Sequence, residues 1–113
     1  MKPRISAVRG HRLDAPLKRP FTIANAAVDT VNNVAIECCL STGETGWGEA
    51  PVLRPITVFG QNELLERVNE CHDALVGVSV SSWEHALEIA NEVTGGIPTL
   101  RCALEEAILD AIL

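Results

Sequence analysis

The sequence has no long apolar run, although 47% of its 113 residues are hydrophobic. A helix that crosses a membrane needs about 20 consecutive apolar residues, and no stretch approaches that length. The pattern of a secretory signal, a basic region followed by an apolar one, does not open the chain. No repeat or low-complexity tract divides it. These absences predict a single cytoplasmic globular domain and exclude a membrane protein.

Clustered positive charge is also missing. The net charge is −6, and residues 61–113 carry ten acidic side chains against two basic ones. Because a nucleic-acid surface needs clustered Lys and Arg to neutralise phosphates, this composition argues against nucleic-acid binding. Residues 1–60 are mildly basic, with seven basic side chains against five acidic ones, and would suit an anionic small molecule.

The four cysteines include no Cys-x-x-C pair, so the ligand spacing of zinc and thioredoxin-like sites is absent. We expect reduced thiols. Cys38 and Cys39 are neighbours in a predicted strand, which places their side chains on opposite faces, one of them in the core. Motifs for nucleophilic catalysis, metalloprotease zinc, phosphate binding and dinucleotide binding are missing too. The motif search therefore predicts no catalytic residue and no metal ligand.

Alternating side chains predict three strands in the first half of the chain, over residues 4–12, 31–41 and 45–50. A turn at 41–44 would join the last two strands, because Gly43 can supply a positive φ. The glycines on both sides of Trp47 indicate a close approach of another backbone.

Two segments of the first half are predicted to be irregular. Pro16 and Pro20 restrict the backbone and interrupt pairing, so residues 13–30 should leave the strand pattern. Residues 51–60 form a loop that is rich in apolar side chains. Such a loop must pack on something, in this chain or beyond it.

Three amphipathic helices are predicted in the second half, the first over 61–76 and the third over about 100–113. Ser81 and Glu84 form a capping box at the start of the second helix. Thr99 is a candidate N-cap of the third. The predicted fold class is therefore α+β, a three-stranded antiparallel meander followed by a three-helix segment.

The third helix carries an apolar stripe for which the sequence shows no partner. Its members repeat at helical spacing: Leu100, Ala103, Leu104, Ala107, Ile108, Ala111 and Ile112. Ala103 and Ala107 would let a neighbouring backbone come close. The chain stops at Leu113 without a glycine, a proline or a polar tail. We therefore expect the protein to continue, and we expect Leu104, Ile108 and Ile112 to be exposed.

The remaining acidic side chains offer no acid–base pair. Glu49 lies beside Trp47, but one carboxylate without a partner is not such a pair, so we expect a strand-end hydrogen bond. Glu105, Glu106 and Asp110 are expected to form a solvated helix face.

Three segments resemble the N-terminal capping domain of the enolase superfamily: Arg19-Pro20-Phe21-Thr22-Ile23-Ala24, Asn33-Val34-Ala35-Ile36-Glu37 and Gly46-Trp47-Gly48-Glu49-Ala50-Pro51. Within the superfamily, the mandelate racemase/muconate lactonizing group is most similar, and within that group the dipeptide epimerases of the L-Ala-D/L-Glu type. The resemblance covers essentially the whole chain. It implies a capping domain over 1–97 and, over 98–113, the start of a helix that links it to a (β/α) barrel.

The resemblance implies that the chemistry lies outside this chain. In the family, a barrel domain supplies the catalytic lysines and the carboxylates that hold Mg²⁺. The metal stabilises the enediolate formed when a base removes the proton α to a carboxylate. The chain alone would then bind no metal and have no isomerase activity. Its partners would be the barrel of the same enzyme and a small acidic dipeptide-like substrate.

Two loops of the family's capping domain fold over the barrel mouth, and they match residues 17–25 and 51–60 here. The resemblance thus implies substrate-binding residues in these loops: Arg19, Phe21, Ile23, Leu53, Arg54, Ile56 and Thr57. Either arginine would pair with a substrate carboxylate through its planar guanidinium.

Two alternatives to the capping domain stay open. One is a free-standing interaction module whose apolar third helix forms a dimer or partner interface. The other is a small-molecule binding domain that uses Arg19 and Arg54. The sequence leaves the oligomeric state open as well, and a homo-oligomer is one of the alternatives.

Overall fold

The computed structural model of the chain describes residues 2–23, 26–52 and 59–113, and it describes their side chains except at 17–31. Within these residues a three-stranded antiparallel sheet of order β1-β2-β3 precedes three helices, which confirms the predicted fold class. The elements are β1 Ile5–Ile23, β2 Ala26–Leu40, β3 Thr45–Ala50, α1 Gln61–Leu75, α2 Trp83–Val93 and α3 Pro98–Ile112. None of the described helices is long and apolar enough to cross a membrane.

Strands β1 and β2 form a longer hairpin than the sequence predicts. The interruption expected over 13–30 is wrong, because pairing continues to Pro16 opposite Thr30 and resumes at Phe21 opposite Val28. The register shifts between Pro16 and Phe21. Strand β1 lies at the edge of the sheet, and a proline is tolerated there because an outward-facing position needs no N–H for a neighbouring strand.

The outer edge of β1 is covered near its start. The Ile5 N–H donates to the Val78 carbonyl at 2.9 Å, and the Gly77 N–H donates to the Ile5 carbonyl at 2.8 Å. The Val8 N–H donates to Nδ1 of His72, on α1, at 3.0 Å. These bonds protect backbone groups that would otherwise be open to another strand.

The turn between β2 and β3 is the tight one predicted. The Leu40 N–H donates to the Glu44 carbonyl at 2.9 Å, and the Gly43 N–H donates to the Leu40 carbonyl at 3.0 Å. Gly43 has a φ of 101°, a left-handed conformation that side chains disfavour. The turn therefore explains the glycine.

One face of the sheet packs on the helices and forms the core. The apolar side chains that β2 buries alternate along the strand: Val34, Ile36, Cys38 and Leu40. Helix α1 adds four more: Leu64, Val68, Cys71 and Leu75. The alternation predicted for the second strand is thus confirmed.

The four cysteines are free thiols, as predicted. Cys38 is fully buried and Cys39, on the opposite face, is half-buried. Burial raises the pKa of the Cys38 thiol to about 12 and that of Cys71 to about 11. Both side chains therefore stay protonated and behave as small hydrophobes.

Helix α2 begins without the predicted capping box. Its first residue is Trp83, and its N-cap, Ser82, makes no side-chain capping bond. The predicted capping box of Ser81 and Glu84 is therefore wrong: Ser81 lies outside the helix, and its N–H donates to Ser79 Oγ at 3.2 Å.

Helix α3 begins at Pro98, with Ile97 as its N-cap. The prediction of Thr99 as the N-cap is therefore wrong, since Thr99 lies inside the first turn. A proline suits the first helical position because the N–H of that residue has no partner within a helix.

The chain's own sheet covers the apolar stripe of α3. Leu104 and Ile108 are fully buried against β2 and β3, so their predicted exposure is wrong. Ile112 is half-buried, and Leu113 is fully exposed. The stripe belongs to the same core as α1 and the sheet.

Helix α3 lies so close to β3 that two strand positions accept only glycine. A Cβ at Gly46 would overlap the carbonyl oxygen of Ala107, and one at Gly48 would overlap that of Ala103. Since these obstacles are backbone atoms, no side chain fits. The close approach predicted from the glycines around Trp47 is confirmed.

Candidate functional site

The predicted substrate-binding residues fall in parts of the chain that the structure describes only partly. Four lie outside the described residues: Leu53, Arg54, Ile56 and Thr57. Three lie on β1, where the strand is described but these side chains are not: Arg19, Phe21 and Ile23. The described residues show instead how the bases of the two predicted loops are held.

Asn33, on β2, is the centre of a hydrogen-bond network at the base of the 51–60 loop. It is 7% exposed. Its Oδ1 accepts from the Val52 N–H at 3.0 Å, and its Nδ2 donates to Glu49 Oε2 at 2.6 Å. Its backbone carbonyl accepts from Nε2 of Gln61 at 3.0 Å. A single residue thus bonds both ends of the loop.

Gln61, the first residue of α1, extends this network to β1. Its Nε2 also donates to Asp14 Oδ1 at 2.8 Å, and its Oε1 accepts from Arg12 Nη1 at 2.6 Å. Arg12 Nη2 donates to Asn62 Oδ1. We call the whole set the loop-base network: Arg12, Asp14, Asn33, Glu49, Val52, Gln61 and Asn62.

Two of the segments that carry the family resemblance meet in the loop-base network. Asn33 comes from the segment 33–37 and Glu49 from the segment 46–51. The strand-end hydrogen bond predicted for Glu49 is confirmed. Asn33 was not identified from the sequence. The signal that could have identified it is a carboxamide inside a strand, directly before the alternating apolar residues that begin at Val34.

A second polar cluster lies on the sheet face that points away from the helices. His11 Nε2 and Glu37 Oε1 are 3.0 Å apart, and Arg9 Nη1 lies 3.7 Å from the same oxygen. The hydrogen bond with His11 is the main reason that the pKa of Glu37 is lowered; burial opposes it and the Arg9 charge adds to it. The Trp47 ring lies 5.5 Å from that of His11. With Arg9 60% exposed and His11 45% exposed, this is a surface ion-pair cluster.

Replacing His11 with alanine should raise the pKa of Glu37 towards its ordinary value. A carboxyl whose pKa is lower in the folded state than in the unfolded state stabilises the fold at pH values above its unfolded pKa. This stabilisation is lost as the pH falls through the folded pKa. His11→Ala should therefore weaken the pH dependence of stability below about pH 4.5. NMR titration of the Glu37 carboxyl, with urea unfolding at matched pH values, measures both effects. His85→Ala, on α2, is the control, and an unmoved Glu37 titration in His11→Ala would contradict the assignment.

Two acidic residues of α3 bond the outer edge of β3. Asp110 Oδ2 accepts from the Trp47 N–H at 2.9 Å, and Glu106 Oε1 accepts from the Glu49 N–H at 3.3 Å. Both side chains lie on an exposed helix face, as predicted, and each also accepts a hydrogen bond from the backbone of β3. They occupy backbone donors that an edge strand otherwise offers to another chain.

The described side chains include no group of three His, Cys, Asp or Glu residues arranged to hold a metal ion. What they do include is a layer of helices on a small antiparallel sheet, with side chains of β1, β2 and α1 bonded together around Asn33. This arrangement defines an α+β domain.

No protein-family model matches the chain. The L-Ala-D/L-amino acid epimerase of Populus trichocarpa is 37% identical to it over 102 residues, which are 88% of this chain and 24% of that protein. A mandelate racemase/muconate lactonizing protein from Herpetosiphon aurantiacus superposes with a TM-score of 0.86 at 28% identity, over 96% of this chain and 30% of that one. A dipeptide epimerase from Cytophaga hutchinsonii, solved with Mg and the dipeptide D-Ala-L-Val, shares the fold, with a TM-score of 0.84 at 20% identity over 93% and 28%.

The chain is homologous to dipeptide epimerases of the enolase superfamily, in the mandelate racemase/muconate lactonizing group, and corresponds to their N-terminal domain. It spans about a quarter to a third of the length of the curated relatives it matches. The family and fold implied by the three sequence segments are thereby confirmed.

Proposed function

We propose that this chain is the capping domain of a Mg²⁺-dependent dipeptide epimerase. In this role it covers the mouth of a (β/α) barrel and helps to select the substrate. The observation that carries the proposal is the alignment of 88% of the chain, at 37% identity, with an L-Ala-D/L-amino acid epimerase. The hydrogen bonds that tie Val52 and Gln61, on either side of residues 53–60, to Asn33 support it, since binding loops are positioned by a rigid scaffold.

The proposal divides the work between two domains. The barrel would contribute the catalytic lysines and the carboxylates that hold Mg²⁺, which stabilises negative charge on a substrate carboxylate. The described residues of this chain contain no such ligand group. Residues 1–97 would bind and orient the substrate and exclude water, and 98–113 would lead into the barrel.

Arg19 and Arg54 are the proposed ligands of a carboxylate on a small acidic dipeptide. A guanidinium offers two parallel N–H groups that match the two carboxylate oxygens. The remaining proposed loop residues would enclose the rest of the substrate: Phe21, Ile23, Leu53, Ile56 and Thr57.

The alternative of a free-standing module that uses α3 as an interface has less support. Its docking surface would be the apolar face of α3, and Leu104 and Ile108 on that face are fully buried by the chain's own sheet.

A fusion protein tests the proposal. Residues 1–113 replace the matching part of the Populus epimerase, and exchange of the substrate Cα proton with D₂O is followed in the presence of Mg²⁺. We expect exchange of Ala-Glu by the fusion and none by the 113-residue chain. Arg19→Ala or Arg54→Ala should lower kcat/KM for Ala-Glu by about 10- to 100-fold, because charge-assisted hydrogen bonds are lost.

Two controls make this test specific. Arg67→Ala removes a guanidinium that pairs with Glu70 on α1, and it should leave activity unchanged. Ala-Val is a dipeptide without the side-chain carboxylate. Its exchange rate should therefore stay unchanged when the loop arginine that binds this carboxylate is replaced with alanine. A folded fusion without exchange activity, or turnover by the chain alone, would contradict the proposal.

A further inference from the structure

Asn33 bonds residues on both sides of the 53–60 segment, and the proposed function assigns Asn33 itself no role. We infer that Asn33 is a positioning residue, which fixes the ends of that segment relative to the β1–β2 hairpin and thereby sets the affinity for substrate. The inference rests on the proposed function. It assigns a role to a residue that makes no substrate contact itself.

Hydrogen bonds to Asn33 fix the residues on both sides of the 53–60 segment. The Val52 N–H bonds the Asn33 side chain, and the Gln61 side chain bonds the Asn33 carbonyl. Val52 and Gln61, which flank residues 53–60, are therefore both bonded to Asn33. Bringing the ends of a flexible segment together costs entropy, and these two bonds offset that cost.

Gln61 connects this segment to both strands of the β1–β2 hairpin. The Nε2 of Gln61 bonds Asn33 on β2 and Asp14 on β1, and Asp14 lies opposite Asn32 in the register. From this point both strands run on towards residues 17–25. The residues that flank 53–60 are thus bonded to the hairpin whose far part carries residues 17–25, and a shift of Asn33 moves them relative to that hairpin.

The side chain of Asn33 suits its two partners because a carboxamide carries an acceptor and a donor on separate atoms. Val52 supplies a donor and needs an acceptor, whereas the Glu49 carboxylate needs a donor. Asn33→Asp would place a second carboxylate at the 2.6 Å contact with Glu49 and would push the two apart. Adding Glu49→Gln restores a hydrogen bond between the two positions. Its direction is reversed, because the carboxamide at position 49 now donates to the carboxylate at position 33.

The first measurement is amide hydrogen exchange of the 113-residue chain. Asn33→Asp should accelerate exchange of the Val52 N–H and of residues 59–62 by about 10-fold relative to the amides of α2. The double variant Asn33→Asp/Glu49→Gln should return these rates to within about 3-fold of the parent. Glu49→Gln alone keeps an acceptor for Asn33 Nδ2, and is the matched control.

The second measurement is the steady-state kinetics of the fusion protein. A positioning role predicts that Asn33→Asp raises KM for Ala-Glu about 10-fold with kcat within about 3-fold, and that the double variant reverses this. If Asn33 only stabilised the fold, kcat per total enzyme would fall with the folded fraction while KM stayed constant.

The outcomes separate the two proposals. Unchanged exchange at Val52 in Asn33→Asp, or an exchange effect without a KM effect in an active fusion, overturns the positioning role. An inactive fusion of the parent sequence, with the exchange effect present and reversed by Glu49→Gln, counts against the proposed epimerase function. It still supports the role of Asn33 in fixing Val52 and Gln61.

Discussion

Replacing Gly48 with alanine is expected to prevent stable folding of the chain. The new Cβ would overlap the carbonyl oxygen of Ala103 and lie 2.9 Å from its carbonyl carbon. Because these atoms belong to the backbone of α3, no rotamer change relieves the overlap. Overpacking a core costs about 1–3 kcal/mol where side chains can adjust. We expect a larger cost here, against a total stability of about 5–15 kcal/mol for an ordinary domain.

Urea unfolding followed by circular dichroism measures this effect, with Gly43→Ala as the control. Gly43 has a φ of 101°, and a methyl group added there would have no atom within 4 Å, so its replacement should cost only about 1–2 kcal/mol of backbone strain. Ala103→Gly should fail to rescue Gly48→Ala, because it removes a methyl group and leaves the obstructing carbonyl. A Gly48→Ala chain as stable as the Gly43→Ala chain would show that α3 is not packed this closely.

Elements with a strong local signal could be predicted from the sequence. The buried residues of β2 alternate from Val34 to Leu40 because one face of the sheet packs on helices and the other does not. Gly43 indicated the turn for a reason confined to its own backbone. In both cases the information lies within a few neighbouring residues.

The errors arose where the outcome depends on distant parts of the chain. Pro16 indicates a break in a central strand but is tolerated in an edge strand, and the sequence does not say that β1 is an edge. The sequence indicated a close approach both at the glycines around Trp47, on β3, and at Ala103 and Ala107, on α3. Local patterns do not show that these two surfaces pack on each other, so the apolar stripe was predicted to be exposed.

The candidate site shows the same limit. The resemblance identified the segments that contain Asn33 and Glu49, and it identified the loop 51–60. Hydrophobic periodicity says nothing of hydrogen bonds between side chains that are distant in sequence, such as the bond from Gln61 to Asn33. The loop-base network therefore could not be predicted from the sequence.

Leu104→Ala is expected to lower the free energy of unfolding by about 2–5 kcal/mol, the usual cost of a leucine-sized cavity in a core. Leu104 is fully buried between α3 and the sheet. Alanine has the highest intrinsic helix propensity, so the substitution does not weaken the helix itself. The decrease in the free energy of unfolding therefore reports the loss of core packing. Leu113→Ala, at a fully exposed position, is the control and should change stability by less than about 0.5 kcal/mol. The readout is the urea midpoint at constant m value. If the α3 stripe instead faced solvent and formed an interface between protein molecules, Leu104→Ala would leave the urea midpoint unchanged and would reduce self-association measured by sedimentation. The two arrangements thus predict different results for the same variant.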